Sequence, residues 1–403
     1  MTQPQIVLGG TGDVNLNILG QTKLWCLSGI QGEGAAPTGQ NLLITKATTA
    51  SNLKVATAAA PGAGKSYTFT VQKNEADTAV VVAISEAGTS GLDSVNTLSL
   101  VAGDRIRLKC VSAGTPTATT AAWSIELSAD GAQAFAENLG TVSATGVVYN
   151  GYLGTASGPN ATETIRQIDA PMGGTINSIY AFLTAAPGAG KTRTVQLRKN
   201  GSDVVGAAVT ISNTDVSGST TGLSVTFVAG DVLSYSHTPA GTPAAAYICV
   251  GSGYTPSVEG ESMLAGCDSA SPSNTVAAYA PLGSVENPVG SWGAGTTWYG
   301  ISGPTSWVLK KLRWRLTTAP GAAKSRQLQA VNNTTPLNGT LTISGTDTSG
   351  TDASNTDTIT ENTLLQVKTT PTGTPTGAGG NYWSAVQYIA PAASGSGAIL
   401  ISS

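Results

Sequence analysis

Ala60-Pro61-Gly62-Ala63-Gly64-Lys65-Ser66 runs straight into Tyr67-Thr68-Phe69-Thr70-Val71, and the passage recurs twice. It returns as Ala186-Pro187-Gly188-Ala189-Gly190-Lys191-Thr192 before Arg193-Thr194-Val195-Gln196-Leu197, and as Ala319-Pro320-Gly321-Ala322-Ala323-Lys324-Ser325 before Arg326-Gln327-Leu328-Gln329-Ala330. A Gly-Thr-Pro phrase closes each copy, beginning at Gly114, Gly241 and Gly373. The two phrases lie 52, 53 and 52 residues apart, while successive copies start 126 and 133 residues apart. Constant internal spacing with variable separation is the mark of a triplicated folding unit, and the period is too long for a solenoid. A chain of 403 residues therefore divides into three domains of ordinary size.

Downstream of each Pro-Gly phrase the residues alternate. Phe69 and Val71, Val195 and Leu197, and Leu328 and Ala330 share one face, with Thr and Gln on the other. Period-two alternation predicts half-buried strands. Leu53-Lys54-Val55, Ile179 to Leu183 and Leu312 to Leu316 read as strands before the phrase, which makes the phrase a hairpin connection. Asn200-Gly201 predicts the next turn, and Val101-Ala102-Gly103-Asp104 and Val228-Ala229-Gly230-Asp231 a later one. About eight short strands per copy, and almost no helix signal, predict an all-β protein. The fold class is three tandem antiparallel β-sandwich, jelly-roll-like domains. The expected domains are 21–130, 143–258 and a Trp-rich 270–403. Residues 1–20 read as an arm dispensable for folding, and 251–275 as a linker.

Charged residues make up 11% and the net charge is −3, which argues against nucleic-acid binding. No 18-residue apolar stretch predicts membrane insertion, and the N-terminus does not read as a secretory signal. Cys26, Cys110, Cys249 and Cys267 occupy unmatched repeat positions and read as free thiols.

The tempting motifs are tested by the repeats themselves. Gly64-Lys65-Ser66 and Gly190-Lys191-Thr192 end relaxed P-loop patterns, but a P-loop needs a helix next, and here an alternating strand comes instead. Gly9-Gly10-Thr11-Gly12 resembles a dinucleotide turn without its βαβ context. His237, the only histidine, aligns with Cys110 and Thr369, which marks a packing position and leaves no repeated catalytic triad. Asp104 and Asp231 belong to a turn. Asp347, Asp352 and Asp357 lie five apart in what reads as a solvated loop, with calcium binding the less favoured reading. No catalytic residue, cofactor site or metal site is expected. Trp292, Trp298, Tyr299 and Trp307 cluster in the lead-in to the third copy; core packing is the favoured reading, with contact to a glycan or a partner as the alternative.

Tandem sandwiches rich in Gly, Ala, Ser and Thr, with the Ala-Pro-Gly-Ala-Gly-Lys hairpin and the Val-Ala-Gly-Asp turn, resemble structural proteins of tailed-phage virions such as head decoration and fibre proteins. The resemblance implies a non-enzymatic component of the virion surface, made in the host cytoplasm. It also implies self-association, most simply as a trimer, and a phage shell or tail protein as partner. A host surface glycan is the partner in the alternative reading as an adhesin, with the third copy as its head. A polysaccharide-degrading enzyme is the second alternative.

Overall fold

The computed structural model describes residues 3–11, 15–16, 22–30, 41–129, 131–136, 140–153, 158–268, 271–282, 292–293, 300–377 and 381–390. Six sheets of four to six strands account for the fold, and the only helical element among the described residues is the single turn Glu163–Ile165. The second repeat displays the plan most simply. Its eight main strands are Ala132–Ala136, Val148–Gly151, Gly174–Leu183, Gly188–Lys199, Ser202–Asn213, Ser217–Phe227, Val232–Ala240 and Ile248–Pro256. Numbered within the repeat, they form one sheet in the order 1-8-3-6 and another in the order 2-7-4-5. That is the jelly-roll arrangement of two sheets sharing one core, and the first and third repeats repeat it.

The alternation seen in the sequence becomes the core. Phe69 and Val71, Val195 and Leu197, and Leu328 and Ala330 are all buried. Their strands pair with the seventh strands Arg105–Ala113, Val232–Ala240 and Leu364–Thr372.

The repeat boundaries differ from the expected ones. Gln3–Gly10, read as part of an arm, pairs antiparallel with Ala121–Ala129 from Gln3↔Ala129 to Gly10↔Ala122, and is the first strand of the first sandwich. The other first strands, Ala132–Ala136 and Glu261–Asp268, likewise lie ahead of 143 and 270. The stretch 251–275 is no linker: Ile248–Pro256 closes the second repeat, and Glu261–Asp268 opens the third.

The first strands also explain how the repeats fit together. Val7 joins the apolar cluster of its own repeat, whereas Ile6 and Leu8 join that of the third repeat, beside Trp307, Trp314 and Trp383. In the second repeat Ala134 packs at home and Phe135 enters the first repeat's cluster. In the third, Leu264 packs at home while Met263 and Ala265 enter the second repeat's cluster. Because successive side chains leave a strand on opposite faces, each first strand serves its own core and one neighbour's. The relation runs 1 to 3, 2 to 1 and 3 to 2, so the three sandwiches close into a pseudo-threefold ring within one chain.

A second cyclic contact reinforces the first. The short strand Leu42–Leu43 pairs with its own seventh strand and packs on the first, third and eighth strands of the second repeat. Ile168–Asp169 packs in the same way on the third repeat, and Gly300–Ile301 on the first. At Gly251 the approach is so close that a Cβ would lie 2.5 Å from the Leu43 carbonyl oxygen, which side-chain-bearing residues do not tolerate.

An open strand edge next to another strand invites mispairing. Here side chains occupy the edge of each first strand. The amide of Ile6 donates to Gln387 Oε1 at 2.8 Å, and the structurally equivalent amide of Met263 donates to the Tyr254 hydroxyl at 2.8 Å. Gln387 and Tyr254 occupy the same position of their eighth strands. The first repeat has Leu127 there, which cannot accept, and Gln5 beside it takes over, accepting from the Gln133 amide at 3.0 Å.

Candidate functional site

Each sandwich carries the two repeated phrases at one tip, and the phrases meet there. The amides of Thr117, Ala244 and Thr376 donate to the carbonyls of Pro61, Pro187 and Pro320 at 2.9, 3.0 and 2.9 Å. The threonine of each Gly-Thr-Pro phrase is left-handed, with φ of 52°, 55° and 53° at Thr115, Thr242 and Thr374. Beside it a Cβ on Gly114 would stand 2.8 Å from the Gly64 carbonyl oxygen. This close fit explains why the two phrases recur as a pair. One more side chain ties them: the Tyr67 hydroxyl donates to the Thr117 carbonyl at 3.0 Å. In the other copies Arg193 and Arg326 stand in its place and donate to the Ala244 and Thr376 carbonyls at 2.6 and 3.2 Å.

The tip lysines carry no phosphate-binding geometry. Lys65, Lys191 and Lys324 lie inside the strands Gly62–Lys73, Gly188–Lys199 and Gly321–Asn332, with no helix start beside them. Their stems cover the tip glycines: Lys65 Cγ is 3.2 Å from the Cβ position of Gly114.

The candidate aromatic contacts divide. Trp307 is buried in the third strand of its repeat, its indole N–H donating to Ser302 Oγ at 3.1 Å. Trp292 is buried too, its ring 5.2 Å from that of Trp383. Both are core residues of the third repeat, and neither presents a ring face to a glycan. Trp298 and Tyr299 lie outside the described residues.

His237 is buried, and neither of its ring nitrogens has a hydrogen-bond partner among the described residues. Burial, with the nearby Arg193 charge, pushes its pKa down to about 3. It is a neutral core residue, and its equivalents Cys110 and Thr369 are buried as well. Asp104 accepts from the Val101 amide and from Asn74, and Asp231 from the Val228 amide and Asn200. Burial acts to raise both carboxyls, but these hydrogen bonds and the neighbouring lysines together outweigh it and hold both below the usual range. Asp352 and Asp357 lie in a strand, Ser349–Ile359, not in a solvated loop. They accept from the amides of Thr340 and of Asn338 and Gly339. Among the described residues no three His, Cys, Asp or Glu side chains come together in a metal-binding group. Cys26, Cys110 and Cys249 are buried thiols outside any disulfide.

The junctions between repeats were not legible as sites, and there the chemistry differs from copy to copy. Between repeats two and three, Arg315 meets Asp169 at 3.1 Å, and Asp169 is raised in pKa because burial outweighs the nearby Arg315 and Arg313 charges. Between three and one, Lys54 meets Glu361 at 2.9 Å. Between one and two, the cation is Arg105, and it lies over the ring of Phe182 at 3.9 Å. No protein-family model matches the chain, and no curated protein matches it in sequence.

Proposed function

We propose that this chain is a non-enzymatic structural protein of a tailed-phage virion, a head decoration or fibre component displayed on the particle surface. The observation that carries the reading is the ring itself: three jelly rolls locked by their first strands into one pseudo-threefold body. Such a body supplies in one chain the threefold outline that separate subunits otherwise build, and it suits a threefold seat on a shell or tail. The buried polar groups of the three repeated tips are spent on holding turns. Among the described residues no helix is long and apolar enough to cross a membrane. Self-association beyond the single ring, and a shell or tail protein as its seat, belong to the same proposal.

The test is direct. Gradient-purified virions of a phage encoding this chain should contain it in stoichiometric amount by mass spectrometry, and cryo-electron microscopy should place a three-lobed density on their surface. Particles free of the chain would sink the reading.

A further inference from the structure

We infer that the junction between the first and second repeats holds a binding cleft for an acidic sugar, a uronic acid unit of a polysaccharide. The inference rests on the difference between this junction and its two counterparts. All three place a cation at the seam between repeats. Asp169 pairs with Arg315, with Arg313 also close by, and Glu361 pairs with Lys54, in each case from across the seam. Among the described residues no such carboxylate meets Arg105. The nearest is Glu75 of its own repeat, 3.9 Å away and more than half exposed. The Nε of Arg105 is buried without a partner among the same residues, and one face of its guanidinium is covered by Phe182.

The same residues line a half-open cavity of about 190 Å³, formed by Leu43, Arg105, Tyr180, Phe182, Ser217 and Ser219 among others. This set has the composition of a sugar-acid site. A guanidinium recognises a carboxylate through a planar fork of N–H donors. Of two aromatic side chains on alternate positions of one strand, Phe182 backs the guanidinium and Tyr180 offers apolar surface to the C–H face of a pyranose ring. Two serines at the rim supply donors and acceptors for hydroxyls. The volume is below the roughly 300–1,000 Å³ of pockets for drug-sized ligands, so it takes one ring, with the rest of the polymer leaving by the open mouth. In the counterpart clefts Phe182 is replaced by Arg315 and Ala56, and Tyr180 by Arg313 and Lys54, so neither offers this aromatic wall.

The full chain should be titrated with methyl glucuronide and methyl galacturonide, using methyl glucoside as the neutral control and acetate as the bare carboxylate. Saturation-transfer NMR gives the readout. At least one uronide should bind at millimolar concentrations, with transfer strongest to its ring protons, while glucoside and acetate bind at least tenfold more weakly. Arg105→Ala should weaken uronide binding about tenfold or more, as loss of a charge-assisted pair requires. Should that variant fold poorly, Ser219→Trp offers an independent check, because it fills the mouth from an exposed position and should abolish binding. The inference is overturned if neither uronide binds, if acetate or glucoside binds as well as the uronides, or if binding survives Ser219→Trp.

Discussion

The tips of the three sandwiches are almost the same sequence, and the first strands that join them are almost unrelated. Gly62, Gly188 and Gly321 share φ values of 102°, 102° and 101°, and the carbonyl–amide pair behind each tip recurs in every copy. Ile6, Gln133 and Met263, by contrast, stand at one equivalent position and share burial and an amide held by a neighbouring repeat's side chain, but no side-chain chemistry. The tips are held by backbone demands, left-handed glycines and close approaches, which few residues satisfy. A first strand answers to its neighbour. Once three copies occupy one chain, each neighbour is a different surface and each strand is free to fit its own.

This comparison breaks most easily at the first strands. Leu8→Ala and Ile6→Ala should each cost about 2–5 kcal/mol in denaturant unfolding, as large-to-small changes in cores do. Removal of residues 1–11 should release the third repeat from the first as well as unpair Ala121–Ala129. An unchanged unfolding midpoint after that deletion would mean that the ring is not closed by this strand.

His237 sharpens the comparison at a core position the three copies fill differently. Its folded pKa is depressed to about 3, so below about pH 6.5 the unfolded chain takes up a proton that the native state refuses. Stability attributable to this group should therefore fall as pH drops from 6 to 4, by about 1.4 kcal/mol per pH unit. His237→Thr, the residue of the third copy, should flatten that slope. An identical slope in both proteins would assign the proton uptake elsewhere.

At the tips, Gly114→Ala places a Cβ both in a left-handed conformation and against the Gly64 carbonyl, and should cost about 1–3 kcal/mol. The third copy offers the reverse experiment. Ala323 already sits at φ 57° where the other copies have glycine, so Ala323→Gly should raise stability by up to about 1 kcal/mol. A loss on that change would show that the tips are not governed by backbone strain.

The smallest effect belongs to the Lys54–Glu361 junction pair, whose lysine is buried but whose carboxylate reaches solvent. Glu361 is 40% exposed, so Lys54→Met should cost less than about 1 kcal/mol, and less still in high salt.

The tips and the alternating strands are legible in sequence because their information is local: a Pro-Gly turn and a period-two pattern can be read within a dozen residues. The first strand misleads because Ile6-Val7-Leu8 is apolar on both faces and ends in glycines. Such a run gives no alternation, since each face is buried by a different repeat. Core and contact roles for Trp292 and Trp307 stay close in the sequence because glycine-rich stretches surround them and give no alternation, whereas the fold packs both into the third repeat's apolar cluster. The Arg105 cleft cannot be found from sequence at all. Its walls come from positions 43, 105, 180–182 and 217–219, and only the ring brings them together.

The hydrogen bond from the Ile6 amide to Gln387 joins residues 381 positions apart. On the ribosome, Gln3–Gly10 can pair with Ala121–Ala129 as soon as the first sandwich emerges, but the side chains of Ile6 and Leu8 then wait for the third repeat, whose eighth strand is made more than 370 residues later. Through that interval the nascent chain carries an uncovered apolar strip. Closure is a single event with a long loop to draw in, and a chain lacking Asn381–Tyr388 would leave the apolar side chains of Ile6 and Leu8 open to solvent.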